Sequence, residues 1–161
     1  AISHPIAAGI HDALEQAKTE AGAVVLAGRP GRFSAGFDLS VMTSSPEAAR
    51  NLLKAGADIA IEIHEFPMPV VIASTGHALA MGAILLMSAD VRIGAEGNYK
   101  IGLNEVAIGM PVPKFAVELA RTSLSNAAFT AAVIGGAGAG FTWGWGCCIP
   151  SPTSPTWWST S

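Results

Sequence analysis

The chain has 161 residues, half of them hydrophobic and 13% charged, and a formal net charge of −3. That length suffices for one domain with its own core, and so apolar a balance points to a partner subunit or to further sequence. No basic run and no basic–aromatic interleaving is present, which argues against nucleic acid as a partner.

Ser3 is placed to cap a first helix, with Pro5 in its first turn. Ile6, Ile10, Leu14 and Ala17 form its expected apolar face, and Gly22 its stop. Residues 23–27 read as a buried strand, 28–32 as a turn and 33–39 as a loop. A second helix opens at Pro46 and turns Leu52, Leu53, Ile59, Ile63 and Phe66 inward. Pro67 and Pro69 end it. Residues 70–74 form the next strand, and Gly76 leads into an apolar helix over 82–89. The apolar run over 78–89 is too short to span a bilayer, and no signal peptide is expected at the start. Residues 90–94 alternate as a strand does. Another helix begins near Pro113, with Phe115, Val117, Leu119 and Ala120 apolar. Strands alternating with helices imply an α/β fold.

Residues 134–161 differ in kind. They hold all four tryptophans and both cysteines but no charged residue. A flexible tail is normally charged and poor in Trp. The expectation is therefore a core over 1–133 and an aberrant or disordered tail over 134–161, possibly frame-shifted. Cys147 and Cys148 are adjacent, a spacing that disfavours a mutual disulfide, and no CxxC completes a metal site. A reducing, cytoplasmic setting is expected.

Two segments carry chemistry. Arg32-Phe33-Ser34-Ala35-Gly36-Phe37-Asp38-Leu39 follows one strand, and Gly76-His77-Ala78-Leu79-Ala80-Met81-Gly82-Ala83 follows another and opens a helix. Small residues let a ligand approach the backbone, and a helix start offers unpaired N–H groups. Two such loops together make an oxyanion hole. Neither segment is a phosphate loop or a nucleophile elbow.

These two runs resemble the oxyanion-hole motifs of the crotonase (enoyl-CoA hydratase/isomerase) family. Ile101-Gly102-Leu103-Asn104-Glu105-Val106-Ala107-Ile108-Gly109 resembles its catalytic-glutamate segment. The resemblance covers residues 1–133. It implies a ClpP/crotonase-like spiral of ββα units, incomplete at both ends: a strand pair before the first helix and the C-terminal helices are missing. It implies an acyl-CoA substrate, with coenzyme A entering as part of that substrate and no metal or nicotinamide cofactor. It also implies a homotrimer or dimer of trimers for an intact member.

Carried over by position, the N–H groups of Phe37 and Met81 are the oxyanion donors. Met81 stands where the family has glycine. Ala35, Gly36, Asp38, Ala80 and Gly82 are the substrate- and CoA-binding positions, and Glu105 is the catalytic acid and base. The first of the family's two hydratase glutamates falls at Ile84 and is absent. One carboxylate suits double-bond migration better than hydration, which needs a second group to position water. A Δ3-Δ2-enoyl-CoA isomerase is therefore favoured over an enoyl-CoA hydratase of fatty-acid degradation, and a silent acyl-CoA-binding pseudo-enzyme is the alternative of another class.

Read without the resemblance, Glu105 is a solvated loop acid and Asp38 stabilises its own loop. His77 is then structural, Asp90 holds a strand start, and Ile84 and the methionines are core or pocket lining. His4, His11 and His64 stand at no ligand spacing.

Overall fold

The computed structural model describes residues 1–105, 109–133 and 147–148. Helix α1 spans His4–Glu20. Ser3 occupies its N-cap position, but the hydroxyl accepts no bond from the helix, so Ser3 caps in place and not in chemistry. The inward face also differs from the expected one by a step. Ala7 and Leu14 are buried, Ile10 and Ala17 half-buried, and Ile6 is 48% exposed. The set 7, 10, 14, 17 fits the helix as well as the set 6, 10, 14, 17, and packing decides between them.

Strand β1 (Val24–Ala27) follows, then β2 (Gly31–Ser34). The expected turn and loop are thus shorter than read, because Gly31 through Ser34 already pair in a sheet. The short helix α2 (Leu39–Met42) and the long α3 (Pro46–His64) come next. Ser45 caps α3, its Oγ accepting the Ala48 N–H at 3.1 Å. Leu52, Gly56, Ile59, Ala60 and Ile63 are buried, while Leu53 and Phe66 are half-buried. Helix α1 packs on α3, and His11 Nδ1 meets Glu62 Oε2 at 2.8 Å across the two.

Strand β3 (Val70–Ser74) runs into β4 (Gly76–Leu79), and α4 (Met81–Ser88) follows. The expected helix is confirmed, but a strand precedes it. All eight residues of α4 are buried. Then come β5 (Val91–Gly94), β6 (Ile101–Gly102), α5 (Lys114–Ser123) and α6 (Asn126–Val133). A two-residue strand β7 (Cys147–Cys148) lies within the expected tail; the rest of 134–161 lies outside the described residues.

Two parallel sheets result, ordered β1-β3-β5-β7 and β2-β4-β6. Each successive strand pair, β1β2, β3β4 and β5β6, gives one strand to each sheet, and helices follow each pair. This is the expected spiral of ββα units. Asp90 Oδ2 accepts the Val70 N–H at 2.8 Å and so fixes the start of β3. One expectation fails at the edge: β1 is not fully buried, since it ends the larger sheet and Val25 is 58% exposed.

Candidate active site

The three segments singled out in the sequence leave the carboxyl ends of β2, β4 and β6, which lie side by side and parallel. In open α/β sheets this is the end at which ligands bind. The first loop is held from both sides. Ile2 pairs with Phe37, its N–H donating to the Gly36 carbonyl at 2.7 Å and its carbonyl accepting the Asp38 N–H at 2.8 Å. The Gly36 N–H donates to Ser34 Oγ at 3.2 Å. Between these bonds the Phe37 N–H has no acceptor among the described residues.

The second loop is a sharp strand-to-helix turn. Ala80 adopts φ 50° and ψ −121°, and it is the one non-glycine with positive φ among the described residues. Such a conformation costs on the order of 1–3 kcal/mol and persists only when its surroundings hold it. The holding bonds are the Ala80 N–H to the Gly102 carbonyl at 2.9 Å and the Ala83 and Ile84 N–H groups to the Ala80 carbonyl at 2.9 and 3.1 Å. The turn leaves the N–H groups of Met81 and Gly82, at the start of α4, without acceptors among the described residues.

The two loops touch. Gly36 has φ +94°, and a Cβ there would lie 2.8 Å from Ala80 Cβ and 3.6 Å from Met81 N. A Cβ at Gly82 would lie 2.7 Å from Ser34 Cβ. Both donors' side chains turn onto α3, where a Cβ at Gly56 would lie 2.5 Å from Phe37 Cζ and 3.2 Å from Met81 Sδ. Met81 is fully buried, so the thioether belongs to the core and the backbone N–H is what remains to offer.

Glu105 stands three residues beyond Gly102, whose carbonyl anchors the Ala80 turn. It is 8% exposed, and its Oε2 is buried without a hydrogen-bond partner among the described residues. Burial pushes its pKa up from the usual carboxylate range. The neighbouring Asn104 also holds a buried Oδ1 with no partner among the described residues. Ile84 is fully buried in α4.

The structure therefore brings Ala35, Gly36, Phe37, Ala80, Met81 and Gly82 together, and Glu105 follows three residues after the end of the adjoining strand β6. Asp38 turns away: its Oδ1 accepts from the Ser40 hydroxyl at 2.6 Å and the Ser40 N–H at 2.9 Å, capping α2. These bonds hold its carboxyl below the usual range. His77 is structural as read, its Nδ1 accepting the Lys100 N–H at 2.9 Å. Among the described residues, one group of potential metal ligands, His11, Glu15 and Glu62, lies on the outside of α1 and α3. Lys18 already sits against Glu15 there. Two positions were not anticipated. Ile2 clamps the first loop through a long-range pairing that leaves no mark in the sequence. Gly56 did leave one, an isolated glycine inside a helical pattern.

The family model described as Enoyl-CoA hydratase/isomerase matches residues 1–144. The chain is 35% identical over 120 residues to a Bacillus subtilis protein named "Probable enoyl-CoA hydratase", covering 72% of this chain and 46% of that protein. It is 31% identical over 117 residues to human mitochondrial enoyl-CoA delta isomerase 1, covering 71% and 39%. The chain thus spans about half the length of these curated relatives, or less. Among solved structures, an enoyl-CoA hydratase/isomerase family protein from Pseudomonas syringae superposes with a TM-score of 0.89 at 42% identity, covering 94% of this chain and 67% of that one. Human mitochondrial Δ3-Δ2-enoyl-CoA isomerase superposes with a TM-score of 0.87 at 25% identity, covering 94% and 62%. With the motifs, the paired sheets and these matches in agreement, the chain belongs to the enoyl-CoA hydratase/isomerase family.

Proposed function

We propose that the chain acts on acyl-CoA thioesters through an enolate and that it moves a double bond from Δ3 to Δ2. The observation that carries this reading is Glu105, a buried carboxyl with one oxygen unpartnered among the described residues, three residues past the end of β6, the strand that pairs with β4 ahead of the Ala80 turn. The substrate's carbonyl oxygen sits between the N–H groups of Phe37 and Met81. Glu105 takes a proton from C2, the negative charge moves onto that oxygen, and the carboxylic acid returns the proton at C4. Each oxyanion donor contributes roughly 3 kcal/mol to such a step. A raised pKa suits a group that must first accept and then return one proton. Ile84 supports a single-base reaction, because a fully buried isoleucine stands where the resemblance puts the hydratases' other glutamate. The delta-isomerase names of several relatives favour the same chemistry. The oligomer proposed for the intact protein is the trimer or dimer of trimers.

One pair of observations favours hydration instead. The Bacillus subtilis relative carries a hydratase name, and the Asn104 Oδ1 beside Glu105 is an unpartnered acceptor able to help hold a water. Kinetics on Glu105→Gln separate the readings. Isomerisation of a 3-enoyl-CoA is expected to fall by about 10²–10⁴-fold, and unchanged turnover would remove Glu105 from the mechanism. Addition of water to a 2-enoyl-CoA by the unaltered chain favours the second reading. Thioester binding without turnover of either substrate leaves a binding protein.

A further inference from the structure

Strand β2 does not pair evenly with β4. Arg32 stands opposite His77 and Ser34 opposite Ala78, so at Phe33 two residues of β2 advance for one of β4. Such a bulge re-aims the side chain that follows it. Neighbouring strand residues point to opposite faces, so Arg32 takes the face of His77 and Ser34 the face of Ala78. Arg32 is accordingly exposed, whereas Ser34 is buried like Ala78. The bulge thus turns one hydroxyl inward at the end of β2, where both candidate donor loops meet it. On one side Ser34 Oγ accepts the Gly36 N–H at 3.2 Å. On the other, Ser34 lies against the first turn of α4, where a Cβ at Gly82 would stand 2.7 Å from Ser34 Cβ and 3.1 Å from Ser34 Oγ.

Gly36 is the hinge of the first loop. With φ +94° and no side chain, nothing of its own restricts it. The peptide planes on either side are pinned instead. Ser34 Oγ holds the Ala35–Gly36 peptide through its N–H. The Ile2 N–H holds the Gly36–Phe37 peptide through the Gly36 carbonyl at 2.7 Å. A planar trans peptide points its carbonyl and its N–H in opposite directions, so this second bond turns the Phe37 N–H away from Ile2. Without the Ser34 bond, Gly36 joins one fixed plane to one loose plane, and the loop can rotate there. The same side chain spaces this loop from the turn that presents the Met81 N–H. We infer that Ser34 is a positioning residue: through its bond to Gly36 and its contact at Gly82 it sets the direction and separation of the two proposed oxyanion donors. The inference rests on the thioester reading above.

The test compares the unaltered chain with Ser34→Ala and Ser34→Cys, below the melting temperature of each. Two quantities are read. One is kcat and KM for a 3-enoyl-CoA. The other is the infrared stretch of an isotope-labelled thioester carbonyl in bound, saturated butyryl-CoA, which hydrogen bonds shift downward. Alanine removes both the acceptor and the contact. Donors matter most where charge develops, so Ser34→Ala is expected to lower kcat about ten- to hundred-fold while KM changes less than about threefold. The carbonyl downshift is expected to shrink with it. Cysteine keeps nearly the same volume and is a weaker acceptor. Ser34→Cys is therefore expected to fall between the two, and it carries the comparison if alanine unfolds the chain. An unchanged kcat and an unchanged stretch in folded Ser34→Ala overturn the inference and leave the function standing, whatever the melting temperature does. A fall in kcat with the stretch unchanged overturns it as well, because the donors then still meet the carbonyl. A downshift in the unaltered chain that Ser34→Ala loses, with turnover of the 3-enoyl-CoA by neither, supports Ser34 and removes the isomerase. No binding of butyryl-CoA by the unaltered chain overturns both.

Discussion

A carboxyl group that is 8% exposed holds its proton more tightly than one in water, and Glu105 is such a group, with one oxygen lacking a partner among the described residues. Its folded-state pKa lies above its unfolded one, so the folded chain binds the proton more strongly. The stability this contributes is complete below the ordinary value of 4.5 and is lost as pH rises through the raised value. Glu105→Gln keeps the shape and removes the charge. Its melting temperature is expected to equal that of the unaltered chain near pH 4 and to exceed it at pH 8, while activity is lost. The reverse order would mean that the carboxylate has a partner. Gly36 poses a different demand at the same scale. Gly31 (φ +82°) and Gly36 (φ +94°) both have left-handed backbones, but a Cβ at Gly31 meets nothing within 4 Å whereas one at Gly36 would meet Ala80. Alanine at either position costs on the order of 1–3 kcal/mol in strain. Only Gly36→Ala is expected also to push the two donor loops apart, weakening thioester binding where Gly31→Ala does not. Titration calorimetry with one acyl-CoA compares them directly.

Elements were legible in proportion to their length and to the locality of their signals. Helix α3 carries a nineteen-residue apolar period, a serine cap and flanking prolines, and it lies where the sequence places it. Strand β6 has two residues and exists because it pairs with β4, a contact no local pattern encodes. The same is true of the Ile2 clamp. The donor loops were legible because they need small residues in a fixed order, and Glu105 because it lies within a distinctive run. That Phe37 and Met81 both lean on α3 was not legible, since it depends on Gly56, nineteen residues further along the chain from Phe37. This contact makes α3 part of the candidate site. Alanine at an unencumbered helix glycine stabilises by about 1 kcal/mol. At Gly56 the added methyl would meet Phe37 Cζ at 2.5 Å, and overpacking of that kind costs about 1–3 kcal/mol. Gly56→Ala is therefore expected to lose its helical gain and to raise KM by displacing the Phe37 loop. A plain rise in melting temperature with unchanged KM would show that the ring does not rest on α3.

At the scale of the whole molecule, the alternation of strands between two sheets creates a need for one element that can bury every face. Helix α4 is that element. It packs against α3 and α5 and against strands β2 and β4 of the smaller sheet, and none of its side chains is in solvent. Its run Met81-Gly82-Ala83-Ile84-Leu85-Leu86-Met87-Ser88 has no polar stripe because it has no outer side. The consequence reaches function, because the same helix presents the Met81 N–H at its first residue. Anything that loosens the core of α4 also moves the proposed oxyanion donor. Leu85 is nearly fully buried, and Leu85→Ala is expected to cost about 2–5 kcal/mol through lost burial and a residual cavity. Val25 belongs to the edge strand of the larger sheet with most of its surface in water, and Val25→Ala is expected to cost less than about 0.5 kcal/mol. Urea unfolding of the two variants measures the contrast, and thioester affinity at low urea measures its link to the site. A donor held by α4 requires Leu85→Ala to weaken thioester binding while the chain is still folded. Loss of stability with affinity intact would mean that the Ala80 turn, tied to Gly102 by its own hydrogen bond, holds the donor without help from the helix behind it.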